Sequence, residues 1–278
     1  MVNFTRKAHY NLDDFRQVIE ILRHPGGCPW DQEQTHASIR RNLLEEAYEA
    51  AEAIDTDNPD LLREELGDVL MQVVLHAQIA ADAGAFTMED IANDINAKLI
   101  RRHPHVFGEA DAGSADEVLA LWDSVKLAEK AAKDERAADA GERPEGLLEG
   151  VPRSLPALMQ AQKVSRKAAA LGFEWESTAA VWEKVAEERA EYEREEPGSA
   201  EREMEFGDLL FALVNVARKD GIDAESALRA STAKFRSRWE AMEAEAYERG
   251  IALDGLSTAE LNDLWDRVKA DEGMAAEG

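Results

Sequence analysis

The sequence predicts an all-α protein, because apolar residues recur at helical spacing, helix-start signals punctuate the chain, and strand signals are almost absent. In the segment 64–78 the apolar residues stand three and four positions apart, which gives one stripe along a helix. The stripe consists of Leu66, Val69, Leu70, Val73, Val74 and Ala77. We therefore predict helices along nearly the whole chain.

Helix starts in the first half follow capping signals, in which a short polar side chain accepts a backbone N–H of the first turn. The signals are Asp31 with Gln34, Asn58 before a proline, Thr87 with Asp90, and Ser114 with Glu117. The predicted helices are 11–23, 33–54, 59–82, 87–102 and 115–138. In the second half Ser257 with Glu260 gives the same signal. The helices predicted there are 154–170, 178–195, 200–219, 223–248 and 257–271.

The two halves of the chain resemble each other, which predicts a tandem duplication of one helical unit. EELGDVLMQVVLHAQ at 64–78 aligns without a gap to MEFGDLLFALVNVAR at 204–218, and LWDSVK at 121–126 answers LWDRVK at 264–269. Between the halves, 139–156 holds three Gly and three Pro, as a linker would. We predict domains at 1–138 and 157–272, joined by the linker 139–156, with a disordered tail at 273–278.

Composition excludes several classes of function. The net charge is −26, from 58 acids against 32 Lys and Arg, so the surface repels nucleic acid and anionic membranes. No run approaches the roughly 18 apolar residues of a membrane span. The N-terminus has no signal-peptide pattern, and the lone Cys28 cannot form a disulfide within the chain. We therefore expect a cytoplasmic protein that binds neither nucleic acid nor membrane.

Acidic residues recur three apart on two predicted helices of each half, so they share a face on each helix. If those helices pair, four carboxylates converge between them, and such a group is unstable without a counter-charge. Mg²⁺ prefers oxygen ligands and supplies that charge, so we predict a magnesium site in each half. The candidate ligands are Glu46, Glu49, Glu65 and Asp68, and then Glu188, Glu191, Glu205 and Asp208.

Gly67 and Gly207 precede the aspartates inside these helices, where glycine costs roughly 1 kcal/mol relative to alanine. We expect them to allow close approach by a neighbouring helix or by substrate. Basic and aromatic residues also recur four apart at matching places in both halves, and they suit a nucleotide polyphosphate. They are Lys98, Arg102, Trp122 and Lys126 in the first half, and Lys234, Arg238, Trp265 and Lys269 in the second.

Two other metal sites fit the sequence poorly. A di-iron carboxylate bundle uses Glu-x-x-His motifs, but the residues three after Glu65 and Glu205 are aspartates. RRHPHVFGE at 101–109 lacks the cysteine or third placed histidine of a zinc site, so we interpret it as a loop that ends a helix.

The pattern EExxE followed by ExxD on adjacent helices resembles the MazG-type nucleoside triphosphate pyrophosphohydrolases. The chain has it as EEAYE…ELGD and again as EERAE…EFGD. The blocks GGCPWDQEQTHASI, RRHPHVFGEAD and VPRSLPALMQAQKVSRKAAALGFEW also look like the two-domain bacterial form of that family. The resemblance covers essentially the whole chain, apart from the extreme termini and the inner linker.

The resemblance implies an all-α fold of four or five helices per unit, in which intertwined dimers build each site. It implies Mg²⁺-dependent hydrolysis of ribo- and deoxynucleoside triphosphates to monophosphate and pyrophosphate, a housecleaning of the nucleotide pool, with Mn²⁺ as a substitute metal. It assigns both acidic sets as metal ligands and both basic sets as phosphate and nucleotide ligands. Glu45 or Glu187 would orient or deprotonate the attacking water. Trp30 and Trp175 would stack on the base, or else fill the core beneath a loop.

The halves differ in one cation. Lys184 stands one helical turn before Glu188 and suits a phosphate ligand, whereas the matching residue of the first half is Asn42. We therefore predict the principal site in the second half. Two alternatives stay open: a pyrophosphohydrolase dedicated to one nucleotide substrate, and a catalytically silent helical dimer that binds nucleotides as a sensor.

Overall fold

The chain is built from helices joined by turns. The computed structural model describes residues 4–143 and 145–276, and within those ranges it contains no strand. The all-α prediction is confirmed. The chain divides into two compact units, Met1–Glu142 and Arg143–Gly278, and each is described by itself. No helix in the described ranges is long and apolar enough to span a membrane.

The first unit centres on two long helices that pack side by side. Its helices are α1 Leu12–Arg23, α2 Pro29–Glu33, α3 Arg40–Asp55, α4 Pro59–Asp82, α5 Met88–Arg102, α6 Pro104–Phe107 and α7 Ala115–Asp139. Only residues 56–58 join α3 to α4, so the two run antiparallel. The core lies where α1 meets α4, around the buried Ile19, Ile39, Val74, Leu75 and Ile79.

The second unit repeats the central antiparallel pair. Its helices are α8 Ala157–Ala169, α9 Thr178–Arg194, α10 Ala200–Lys219, α11 Ala224–Glu248 and α12 Thr258–Ala276, with a 3-10 turn at Leu253–Gly255. The pair is α9 and α10, and α8 packs against α10. A second core joins α11 to α12 through Met242, Ala246, Leu264 and Val268. Duplication of one ancestral unit stays a prediction, which the matching order of these pairs is consistent with.

The capping signals set most helix starts. Thr87 and Asp90 form a reciprocal capping box at the start of α5. Asn58 Oδ1 accepts from the Leu61 N–H at 3.1 Å and begins α4, as the Asn-Pro signal predicts. Ser257 and Glu260 cap each other before α12. Ser114 Oγ accepts from the Glu117 N–H, while the Glu117 carboxylate accepts from the Gly113 N–H.

The predicted start of α3 was wrong. We predicted one helix over 33–54, with Asp31 as its cap, but Asp31 lies inside the short α2 and α3 begins at Arg40. The residues between them are held by side-chain bonds that compete with helix: Ser38 and Thr35 exchange hydrogen bonds, and Ser38 Oγ donates to Gln34 Oε1. Arg23 of α1 donates to the carbonyls of Asp31 and Gln34 and fixes the turn.

Two further expectations concern the glycines and the C-terminus. A Cβ atom at Gly67 or Gly207 would meet no heavy atom of the described chain within 4 Å, so packing of a neighbouring helix within the chain does not explain them. Helix α12 continues to Ala276, through four of the residues that we assigned to a tail. Residues 277 and 278 of that tail lie outside the described ranges.

Candidate active site

The first unit gathers three of its four predicted acids on the facing sides of α3 and α4. Glu46, Glu49 and Glu65 each offer a carboxylate oxygen, and these oxygens all lie within 4.8 Å of one another. Spacing of three residues on α3 puts Glu46 and Glu49 on one face. Asp68 is one turn further along α4 and acts on the group through its charge, which raises the pKa of Glu46. We call Glu46, Glu49 and Glu65 the first acidic cluster.

The second unit builds the same arrangement on α9 and α10. Carboxylate oxygens of Glu188, Glu205 and Asp208 lie within 4.8 Å of one another, and Glu188 is buried, with 6% of its surface exposed. The charge of Glu191 adds to the group and raises the pKa of Glu205. Arg194 donates to Glu191 at 3.2 Å. We call Glu188, Glu205 and Asp208 the second acidic cluster.

Three carboxyls of the two clusters, those of Glu46, Glu65 and Glu205, have a raised pKa. Burial raises the pKa of Glu46, and the charges of Asp68, Glu49 and Glu65 raise it further. Burial likewise raises the pKa of Glu65, ahead of the charge of Glu49. The pKa of Glu205 is raised by burial and then by Glu191 and Glu188. Acids arranged in this way gain from a bound cation, because it supports the ionised form.

The residues fit a divalent cation that prefers oxygen. The carboxylate oxygens of each cluster lie close enough together to coordinate a single ion. The described set contains neither histidine nor cysteine, which suits Mg²⁺ or Mn²⁺ better than zinc. Glu46, Glu49 and Glu65 would hold such an ion in the first unit. Glu188, Glu205 and Asp208 would hold it in the second.

The candidate water-activating residues lie at the edge of the clusters. Glu45 is exposed and pairs loosely with Arg41, whose Nε is 3.9 Å from its carboxylate. Glu187 is also exposed, and the Lys184 ammonium lies 3.1 Å from it. The same ammonium lies 2.6 Å from Glu188, and these two hydrogen bonds raise the pKa of Lys184.

The basic set of the first unit lies on α5 and α7. The Lys126 ammonium is 4.5 Å from the centre of the Trp122 ring, and the Arg102 guanidinium is 5.8 Å from it. Arg102 also pairs with Glu129, at 2.6 Å, and this bond, together with one from Arg101, lowers the pKa of Glu129 to about 2. Lys98 is exposed one turn before Arg102. Three of the four predicted residues therefore form one group, around an acid that we did not predict.

The basic set of the second unit lies on α11 and α12. The Arg238 guanidinium is 5.6 Å from the centre of the Trp265 ring, and Phe235 packs on the same ring at 5.0 Å. Lys234 is exposed one turn before Arg238, and Lys269 one turn after Trp265. Phe235 is a further candidate for base stacking. We did not name it from the sequence, because we considered only the cations Lys234 and Arg238 on this helix.

The two predicted stacking tryptophans differ in their surroundings. Trp30 lies on α2 with 58% of its surface exposed, so it does not fill the core. Trp175 is half-buried in the turn before α9, where it lines a small cavity with Gly172, Phe173 and Glu174. Its carbonyl accepts from Lys219 at 2.6 Å.

A histidine pair links the turn before α3 to α4, and sequence reasoning missed it. The Nδ1 atoms of His36 and His76 are 2.8 Å apart, and their rings stack with centres 5.1 Å apart. Burial and the neighbouring His36 lower the pKa of His76. His36 and His76 are 40 positions apart, so spacing along a single helix gives no signal for this pair.

Paired helices that present clustered carboxylates, with basic and aromatic residues on further helices, define a class of all-α protein. Comparison with known proteins places the chain within that class. Residues 34–107 match the model of the MazG nucleotide pyrophosphohydrolase domain. The chain belongs to the MazG family.

Curated relatives match along almost the whole chain. A Thermotoga maritima protein named nucleoside triphosphate pyrophosphohydrolase/pyrophosphatase MazG is 41% identical over 95% of this chain and 98% of its own length. The Escherichia coli K12 nucleoside triphosphate pyrophosphohydrolase is 42% identical over 94% of this chain and 98% of its own. An uncharacterized Bacillus subtilis protein, YabN, is 44% identical over 95% of this chain but 53% of its own length.

Proposed function

We propose that this protein hydrolyses ribo- and deoxynucleoside triphosphates to the monophosphate and pyrophosphate in a Mg²⁺-dependent reaction. The observation that carries the proposal is the pair of acidic clusters, each with carboxylate oxygens within 4.8 Å of one another. The relatives named for this activity cover nearly the whole chain and support the same reaction. A general substrate range would make the enzyme a housecleaner of the nucleotide pool.

The acidic and the basic residues have different roles in the proposed reaction. Mg²⁺ held by a cluster would offset charge on the phosphate oxygens as the anhydride breaks. Arg102 with Lys126, and Arg238 with Lys269, bind the polyphosphate, and Trp122 or Trp265 offers a plane for the base. Hydrolysis forms a bond from water oxygen to phosphorus and breaks the anhydride between the α and β phosphates.

The proton of the attacking water passes to a carboxylate, for which we propose Glu45 or Glu187. Both are exposed and next to the clusters in sequence, so a bound water can reach them while the acids of the clusters hold the cation. The second unit is our choice for the principal site, because Lys184 adds a cation at its cluster.

We further propose a homodimer in the cytoplasm. Apolar side chains are exposed on α4 and α10, the helices that carry the acids, and a second copy of the chain would cover them. Nucleoside triphosphates are held in the cytoplasm, so the enzyme would work there. The net charge of −26 argues against nucleic acid as a partner.

The test is pyrophosphate release from a panel of ribo- and deoxynucleoside triphosphates, with Mg²⁺ and with chelator. We expect release only with the metal, and a loss of at least 100-fold in Glu188→Gln, on the order of what one lost charge-stabilising group costs. Glu46→Gln is expected to keep most of the activity. Glu183→Gln and Glu52→Gln make the same change on α9 and α3 outside the clusters and serve as matched controls.

The alternative outcomes separate the other readings. Loss of activity in Glu46→Gln with little change in Glu188→Gln would move the principal site to the first unit. Turnover of one nucleotide alone would indicate a dedicated enzyme. Nucleotide binding with Mg²⁺ but without turnover, in a folded protein, would contradict the hydrolase and leave a sensor.

A further inference from the structure

The Lys184 ammonium pairs with Glu188 of the second acidic cluster. Lys184 stands on α9 one turn before Glu188, and its ammonium lies 2.6 Å from the Glu188 carboxylate and 3.1 Å from that of Glu187. The Lys184 side chain is 35% exposed and that of Glu188 only 9%, so the bond is shielded on the side of the acid. Shielding makes a charge pair stronger than one on the open surface.

The bond involves a carboxylate that the cation site needs. Glu188 is the most buried of the three acids whose oxygens lie within 4.8 Å of one another, with 6% of its surface exposed. An ammonium at hydrogen-bond distance takes up lone pairs of Glu188 and repels any cation that approaches it. Lys184 and a divalent cation therefore compete for the same acid.

The first cluster has no such cation at the corresponding place. The residue one turn before Glu46 is Asn42, whose amide carries no charge. Arg41 beside it has a side chain that is 87% exposed and pairs loosely with Glu45, at 3.9 Å. The two clusters thus share their acids but differ in whether a charged side chain already neutralises one of them.

We propose that Lys184 is a built-in counter-ion of the second cluster, which weakens binding of a divalent cation until nucleotide phosphates draw the lysine away. The cation and the nucleotide then bind cooperatively in the second unit, whereas the first cluster takes up a cation without nucleotide. This inference rests on the proposed function, since it needs the clusters to hold a cation. It gives Lys184 a role in the absence of substrate as well as in its presence.

The test is a titration with Mn²⁺ alone, in which free Mn²⁺ is measured by its electron paramagnetic resonance signal. The Glu46→Gln background weakens the first cluster, so that the titration reports on the second. There, Lys184→Met is expected to tighten Mn²⁺ binding about tenfold, the effect of one close charge partner. In a Glu205→Gln background, Asn42→Lys makes the reciprocal change and is expected to weaken binding at the first cluster by a similar factor.

A second titration adds a non-hydrolysable triphosphate analogue. The analogue is expected to tighten Mn²⁺ binding more in the Glu46→Gln protein than in its Lys184→Met derivative, because only the former has a lysine to draw away. Circular dichroism confirms that each variant is folded.

The outcomes distinguish this inference from the function beneath it. If Mn²⁺ binds the second cluster equally well, or less well, after Lys184→Met, the counter-ion role is wrong and the hydrolase stands. If folded wild-type protein binds no Mn²⁺ with or without nucleotide, the proposed function and the inference fall together.

Discussion

Glu174 anchors the turn that leads into α9. Arg218 donates to it through both terminal nitrogens, at 2.6 and 2.7 Å, and Lys219 lies 3.4 Å from the same carboxylate. The Arg218 side chain is 9% exposed, and its Nε donates to the buried Asn215 at 3.2 Å. A bidentate pair supported in this way holds the turn against α10.

Glu174→Gln tests that anchor through the pH dependence of stability. The bond to Arg218 lowers the pKa of Glu174 from 4.5 to about 2. The ionised group therefore stabilises the fold above about pH 4.5, and this contribution is lost as the pH falls towards 2. We expect Glu174→Gln to lower the free energy of unfolding by roughly 1 to 2 kcal/mol at pH 7. Urea unfolding at several pH values measures it.

The quantity to compare is the difference in unfolding free energy between the wild type and Glu174→Gln, because many other acids titrate in the same pH range in both proteins. The advantage of the wild type over Glu174→Gln in unfolding free energy is expected to shrink progressively from about pH 4.5 down to about pH 2. A gap that stays constant down to pH 3 would mean that the carboxylate charge contributes nothing. Glu176→Gln, an exposed acid in the same turn, is the matched control.

Single residues also show what the sequence could and could not predict about the site. Spacing along one helix placed Glu46 beside Glu49, because helical geometry fixes neighbours three apart. It could not place Glu129 against Arg102, since these residues are 27 positions apart and meet only when α7 packs on α5. The pairing of Glu174 with Arg218, 44 positions apart, was hidden for the same reason.

At the scale of elements, starts that depend on a local cap were predictable and starts that depend on tertiary contacts were not. Thr87 with Asp90 closes its own box, so sequence was sufficient for α5. The late start of α3 depends on Arg23, which reaches from α1 to the carbonyls of Asp31 and Gln34. A pattern of residues within 31–54 carries no sign of that contact.

Gly207→Ala tests why a costly glycine stands inside α10. A Cβ there would meet no heavy atom within 4 Å in the described chain. We therefore expect the substitution to stabilise the folded chain by about 0.5 to 1 kcal/mol, which is the helix preference of alanine over glycine. If the open space is where substrate approaches the helix, the KM for nucleotide rises in the same variant.

Thermal unfolding and steady-state kinetics give the two readouts. Gly67→Ala makes the same change on α4, where a Cβ also meets open space, and compares the two units directly. Loss of stability in either variant would contradict the open space and point to cover by another chain. Higher stability with unchanged KM would exclude approach by substrate.

At the scale of the whole molecule, apolar side chains on α10 and α4 are exposed in a single copy of the chain. On α10, Phe206, Leu210 and Leu213 are 47%, 41% and 38% exposed and lie along one helical stripe. On α4 the matching Leu66 and Leu70 are 53% and 38% exposed. The same positions are apolar and exposed in both units, on the helices that carry the acids, which is the pattern of a surface made to be covered.

We expect the wild type to run at twice the mass of one chain in size-exclusion chromatography with light scattering. Leu210→Lys puts an unpaired charge into the stripe, so it is expected to shift the protein towards the mass of one chain at micromolar concentration. Tyr247→Lys changes an isolated side chain, 87% exposed at the end of α11, and is expected to leave the dimer intact. A wild type at the mass of one chain, or a Leu210→Lys protein that stays at twice that mass, would contradict a dimer built on this stripe. A second copy seated on this stripe would bring another set of side chains up to the acidic clusters, so Leu210→Lys is also expected to lower pyrophosphate release, and Tyr247→Lys to leave it unchanged.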